Sequence, residues 1–143
     1  MAKFRNAFKA KLYTELTSDP PPSAVLTDAY FGIAGEEATY PFLNIPELNG
    51  IPDDTWTDRV MEFPLQMNIF SDQSSSAQVD AIEEDVRAHF HRMTLEVSAD
   101  AGATWKVTKF EHQRSVTFHY QDAMDGWLWQ CSIFFLVRLQ KTT

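Results

Sequence analysis

The sequence has one cysteine, Cys131, five glycines, and no apolar run approaching the ~20 residues a membrane-spanning helix needs. A lone cysteine excludes an internal disulfide and fits a reducing compartment. With no clustered His-Cys spacing beside it, a structural zinc site has no ligand set. The N-terminal "MAKFRNAFKAKLYTEL" lacks a continuous apolar centre and a small-residue cleavage site, so no secretory signal is expected. Basic residues are also scarce, with 12 Lys and Arg against 20 Asp and Glu and a net charge of −8. Residues 1–16 carry +3 (Lys3, Arg5, Lys9 and Lys11 against Glu15), which leaves −11 on the rest. Phosphate neutralisation supplies most nucleic-acid affinity, so this balance excludes DNA as a tightly held ligand. What remains is ordinary globular material, 44% hydrophobic and 22% charged, and 143 residues suit one domain, 1–143.

Periodicity then sorts the chain into elements. Phe4, Phe8, Leu12 and Leu16 recur every fourth residue and predict a basic amphipathic helix, ended by "SDPPPS" at 18–23. A short strand is expected at 40–45, "YPFLNI", and an exposed acidic loop at 47–58, "ELNGIPDDTWTD". In 62–70, "EFPLQMNIF", Phe63, Leu65, Met67 and Ile69 alternate with polar residues and predict a strand. Pro64 lacks an amide hydrogen, which places that strand at an edge or Pro64 near its unpaired start. Val79, Ile82, Val86, Phe90 and Met93 then follow helical spacing, with Ser75 and Gln78 at capping-box separation.

Two strand regions finish the chain. Val116, Phe118 and Tyr120 share a face in 115–120, and every odd position from Trp127 to Leu139 is apolar. The loop 121–126 joins them as a hairpin, and the arm 104–110 extends the first strand. The apolar parity shifts between Val107 and Val116, which calls for a bulge or break near 109–114. The expected fold is α+β: a mostly antiparallel sheet of about four strands with two main helices packed on one face.

Candidate chemistry fails on context. From Asp72, the residues Ser74, Ser76, Asp80 and Glu83 hold the ligand positions of a calcium loop, but Ala77 replaces the required glycine and Val79 and Ile82 belong to a helix. An anion site is opposed by Asp80, Glu83, Glu84 and Asp85 and by the missing glycine-rich cradle. His89 and His91 diverge on the helix, His119 reads as an outward strand residue, and Cys131 reads as a core thiol. No nucleophile motif is present, so the chain reads as a non-enzyme with no cofactor and no metal. One rival keeps a scattered site of His112, Arg114, His119 and Asp122 for a small enzyme or ligand-binding domain. The aromatic surplus on the last strand, with Leu128, Phe134 and Leu136 on its even face, is covered either within the chain or by a neighbouring subunit.

The order and wording of these segments resemble the tail terminator or tail completion family of long-tailed bacteriophages and phage-like gene transfer particles. The resemblance is carried by "AFKAKLYTEL", by the acidic turn and strand in "YFGIAGEEATYPFLNI", and by "EFPLQMNIFSD" followed by "SSSAQVDAIEEDVRAHF". The closing strand "WQCSIFFLVRL" completes it, while the long 104–120 arm and the two tryptophans of the last strand depart from the pattern. The resemblance implies a structural virion protein, placed at the head-proximal end of the tail after assembly in the host cytoplasm. It implies a homo-hexameric ring that caps the tail tube, stops its polymerisation and meets the head connector. DNA would pass through its channel without tight binding. The interface candidates are then Asp53, Asp54 and Trp56 in the acidic loop and Asp122 and Asp125 in the hairpin loop. Trp127 and Phe134 supply apolar surface, and Lys9 and Lys11 offer a pairing with an acidic neighbour. A head-closure or stopper ring of the neck is the nearest alternative.

Overall fold

A computed structural model describes residues 4–17, 28–32, 39–46, 60–98, 104–122 and 126–141. The elements run α1 (Phe4–Thr17), β1 (Asp28–Phe31), β2 (Phe42–Ile45), β3 (Val60–Ser71), α2 (Ala77–Phe90), β4 (Leu95–Ser98), β5 (Thr104–Asp122) and β6 (Gly126–Lys141). The strands form one six-stranded sheet in the order β1-β2-β3-β6-β5-β4. All neighbours are antiparallel except β1 and β2, which run parallel.

The α+β class stands, but the expected sheet of about four antiparallel strands is corrected to a mixed sheet of six. The two additions, β1 and β4, have four residues each, too few to display an alternation. The arm 104–110 and the strand 115–120 are one strand, β5. It stays continuous because register shifts at Val107/Lys109 and His112/Arg114 absorb Thr108 and Gln113 as extra residues.

Both helices bury their stripes against the same sheet face. Phe8, Leu12 and Leu16 of α1 join Val79, Ile82, Val86 and Phe90 of α2 in one cluster with Phe63, Leu65, Met67 and Ile69 of β3. Cys131, Ile133, Phe135, Val137 and Leu139 of β6 complete that inner face. Phe90 stacks on Phe110 at 5.1 Å, Phe110 meets Phe135 edge-on at 5.0 Å, and Phe8 meets Phe63 edge-on at 5.5 Å. Helix α2 lies on β3, β5 and β6, whereas α1 touches β1 and β4, the two ends of the strand order. A sheet whose opposite ends reach one helix is curled around it.

Pro64 sits inside this sheet without breaking it. It pairs in register with Leu136, but β2 flanks β3 only from Asn68 onward, so Pro64 occupies a stretch where β6 is the sole paired strand among the described residues. The capping box expected at Ser75 and Gln78 does not form. The N-cap position is Ser76, with no side-chain cap, and Gln78 instead accepts a hydrogen bond from the Ser71 hydroxyl. Helix from Ala77 onward also disperses the calcium-loop positions, since Asp80 and Glu83 point to β5 partners. Among the described residues, no three His, Cys, Asp or Glu side chains gather at metal-binding range.

Candidate functional site

The hairpin β5–β6 outgrows the sheet. The last rung between β3 and β6 is Ser71 opposite Trp129, whereas β5 and β6 stay paired through Tyr120–Leu128, Gln121–Trp127 and Asp122–Gly126. Among the described residues the hairpin beyond Trp129 is a two-stranded ribbon, an arrangement with marginal stability in water unless something packs on it.

Its side chains are those of a contact surface. On the inner side the His119 ring stacks on Trp129 at 4.2 Å, with the ring planes nearly parallel at 2°, and lies 4.8 Å from Trp127. Trp127 is 58% exposed. On the outer side Val116 and Phe118 are each 41% exposed, and Tyr120 lies 6.0 Å from Phe118. Farther down the same side the Arg114 guanidinium sits 4.6 Å above the Phe134 ring. The Nε1 of Trp129 is buried with no hydrogen-bond partner among the described residues.

Across the outer face runs a row of amides and hydroxyls. Asn44 donates to the Gly32 carbonyl, Asn68 donates to Asn44 Oδ1 (3.4 Å), and Ser132 donates to Asn68 Oδ1 (2.7 Å). Gln66 also donates to Asn68 Oδ1 (2.9 Å) and Gln130 donates to Ser132 Oγ (3.2 Å). Asn44, Asn68 and Ser132 are buried, so each of these bonds offsets a desolvation cost. Beside the row, Phe42 stacks on Phe70 at 5.0 Å and meets Tyr30 and Tyr40 at 5.7 and 5.1 Å. The even face of β6 is thus partly covered, with Leu128 buried and Phe134 and Leu136 intermediate.

One cluster has the composition of a hydrolase triad but not its wiring. Ser115 Oγ lies 2.8 Å from His112 Nε2 and donates to Glu83 Oε1 at 2.8 Å, and Glu83 also holds Arg87 at 2.8 Å. In a triad the imidazole takes the hydroxyl proton and the carboxylate orients the imidazole. Here the hydroxyl proton goes to the carboxylate, leaving His112 to donate to Ser115. Desolvation first, then the Arg87 charge, holds the His112 pKa below the ordinary histidine value. The cluster docks α2 on β5. Burial likewise raises the pKa of the Cys131 thiol, which is the inert core position expected of it.

The four residues of the scattered-site rival do not converge. His112 registers with inner-face Phe135 and Arg114 with outer-face Phe134, on opposite sides of the sheet. His119, expected to point outward, registers with inner-face Trp129. Asp122 ends β5 opposite Gly126. Of the interface candidates, Trp127 is at the ribbon tip and Phe134 lies under Arg114. Lys9 Nζ is 6.0 Å above the Phe31 ring, and Lys11 lines a shallow cleft with Glu96 and Val97. Asp53, Asp54, Trp56 and Asp125 fall outside the described residues, as does the side chain of Asp122. Sequence reasoning missed Val116 and Phe118 as exposed residues. The signal was the second parity shift at Gln113, which turns them away from the helices.

The profile of the tail completion protein gp17 family matches residues 10–120. Among solved structures, the chain is similar to one from the virion of a native gene transfer agent particle. That match has 11% identity and a TM-score of 0.59, over 97% of this chain and 92% of the other. At that identity the likeness concerns the fold. No protein of curated function matches the chain.

Proposed function

The chain belongs to the tail completion protein gp17 family, and we propose that it forms a homo-hexameric ring that closes the head-proximal end of a phage-type tail tube. The ring ends tube polymerisation and presents its other surface to the head connector. The observation that carries this reading is the distal β5–β6 hairpin, where Val116 and Phe118 are exposed on the outer face and Trp127 is exposed beyond Trp129, where no third strand lies among the described residues. Burying such surface on a partner stabilises by about 25 cal/mol per Å² of apolar area, while a free monomer gains nothing from it. The acidic balance supports the channel role, because like charge keeps passing DNA from sticking. The shared fold with a virion chain agrees with this placement. The loop holding Asp53, Asp54 and Trp56 and the hairpin loop holding Asp122 and Asp125 are proposed as tube or neighbour contacts.

The test is to add the purified protein to polymerising tail-tube protein and to follow tube length and the mass of the free protein. Expected are a species of about six chains, alone or on tube ends, and arrested growth. A strict monomer indifferent to tubes would sink the reading. Binding to emptied heads and not to tube ends would transfer the chain to head closure.

A further inference from the structure

Strand β5 has β4 beside it only from Thr104 to Val107. Its next stretch is closed by the turn after α2, where the Arg92 N–H donates to the Phe110 carbonyl (2.6 Å) and the His112 N–H donates to His91 Nδ1 (3.1 Å). From Ser115 to Gln121, β5 pairs with β6 on one side and with no strand on the other among the described residues. Alternate residues there turn both backbone groups toward the open side.

The other edges are blunted, and the stretch of β3 before Asn68 that β2 leaves open carries Glu62 and Pro64. β1 and β4 are four residues long. The Ala29 N–H is held by its neighbour's carboxylate, Asp28 Oδ1, at 2.8 Å. β4 carries Glu96 opposite Lys106. The run Ser115–Gln121 has no proline, lysine or carboxylate, the devices by which edges are usually protected.

Charge selects the occupant. On the flank of α2 toward β5, Asp80 accepts from the Thr117 hydroxyl (3.5 Å) and Glu84 follows one turn later, both exposed. The opposite flank of α2 faces α1 through His89 and Glu15 at 3.1 Å. The acids therefore lie on the side away from α1. On α1 itself, Ala10, Tyr13, Thr14 and Thr17 form an exposed i, i+3, i+4, i+7 stripe, with Lys9 and Lys11 at its two margins.

We propose that α1 of a second copy covers the open edge of β5, setting Lys11 against Asp80 and Glu84, and Tyr13 with the Lys9 stem beside it against Val116 and Phe118. The contact joins two different patches, so it repeats head to tail, and it rests on the ring reading above. The Lys9 ammonium satisfies edge carbonyls while its stem covers Val116 and Phe118. A two-fold pairing of β5 edges is disfavoured, since it brings the acids of both copies together.

The experiment is sedimentation velocity across a concentration series at low and high salt. The wild type is compared with Asp80→Lys/Glu84→Lys, with Lys9→Glu/Lys11→Glu, and with the protein carrying all four changes. Each pair alone is expected to raise the assembly midpoint by about tenfold, and the fourfold variant to restore it. Hydrogen exchange of residues 115–121 in the wild type gives an independent measure and is expected to slow as copies assemble. A wild type that assembles while the paired variants, or the 115–121 amides, are unaffected overturns the seam and leaves the ring. A wild type that never assembles overturns both. Assembly lost in each pair and not restored by the fourfold variant also overturns it.

Discussion

Phe135 touches Phe90, Phe110 and His112 at ring-contact distances and is 1% exposed. Phe135→Ala is expected to destabilise the fold by about 3–5 kcal/mol, as large-to-small changes at closed sites do. Chemical denaturation checks it. Asn68 holds the outer-face row together by accepting from Gln66 and Ser132, so Asn68→Ala is expected to cost about 1–3 kcal/mol by leaving the buried Ser132 hydroxyl without its acceptor. His112 carries the pH dependence. Its folded pKa lies below the ordinary value, so near pH 6.5 and just beneath it the unfolded chain binds a proton that the folded chain refuses. The contribution is complete above the unfolded value and is lost as pH falls through the window below it. The groups facing the ring are Arg87, Glu83, His91 and Ser115. His112→Gln is expected to flatten the decline in denaturation midpoint between about pH 7.5 and about pH 5.5. An unchanged slope would show that His112 does not carry the decline.

At the scale of elements, β5 decides what the sheet presents. Gln113 is the extra residue that sends Val116 and Phe118 outward and Ser115 and Thr117 toward α2. Deleting Gln113 shifts the distal half by one residue and exchanges the two sets. Glu83 then loses the Ser115 hydroxyl, and the expected cost is on the order of 1–3 kcal/mol, read as a lower denaturation midpoint. This strand also marks where the sequence was legible. β3, α2 and β6 announced themselves because their alternation or helical spacing runs long enough to be counted. β1 and β4 did not, since four residues carry no period and their place depends on pairing with strands distant in the chain. The parity break in β5 was visible, but that it comprises two bulges within an unbroken strand was not. The candidate surface was legible in the same uneven way. Trp127 stood out as an aromatic surplus, whereas Phe118 reads as a core residue until Gln113 is counted.

For the molecule as a whole, the surface that holds the fold and the surface proposed for assembly are different ones. The inner cluster closes around α1 and α2, while Phe118 on the outer face of the hairpin and Trp127 on the ribbon lie outside that cluster. Phe118→Ser with Trp127→Ala therefore separates the two. Exposed substitutions away from special features usually stay within about 0.5 kcal/mol each, so the double variant should melt close to wild type. Its His119 loses the Trp127 contact but keeps the Trp129 stack, which holds the inner side of the ribbon together. Tail-tube capping, measured as arrested tube growth, is expected to be lost. Retained capping would move the tube contact off the ribbon. Lost stability would show the exposed rings supporting the hairpin and not a partner. A folded variant that no longer arrests tubes leaves the distal hairpin as the surface through which a small acidic α+β protein ends a tail.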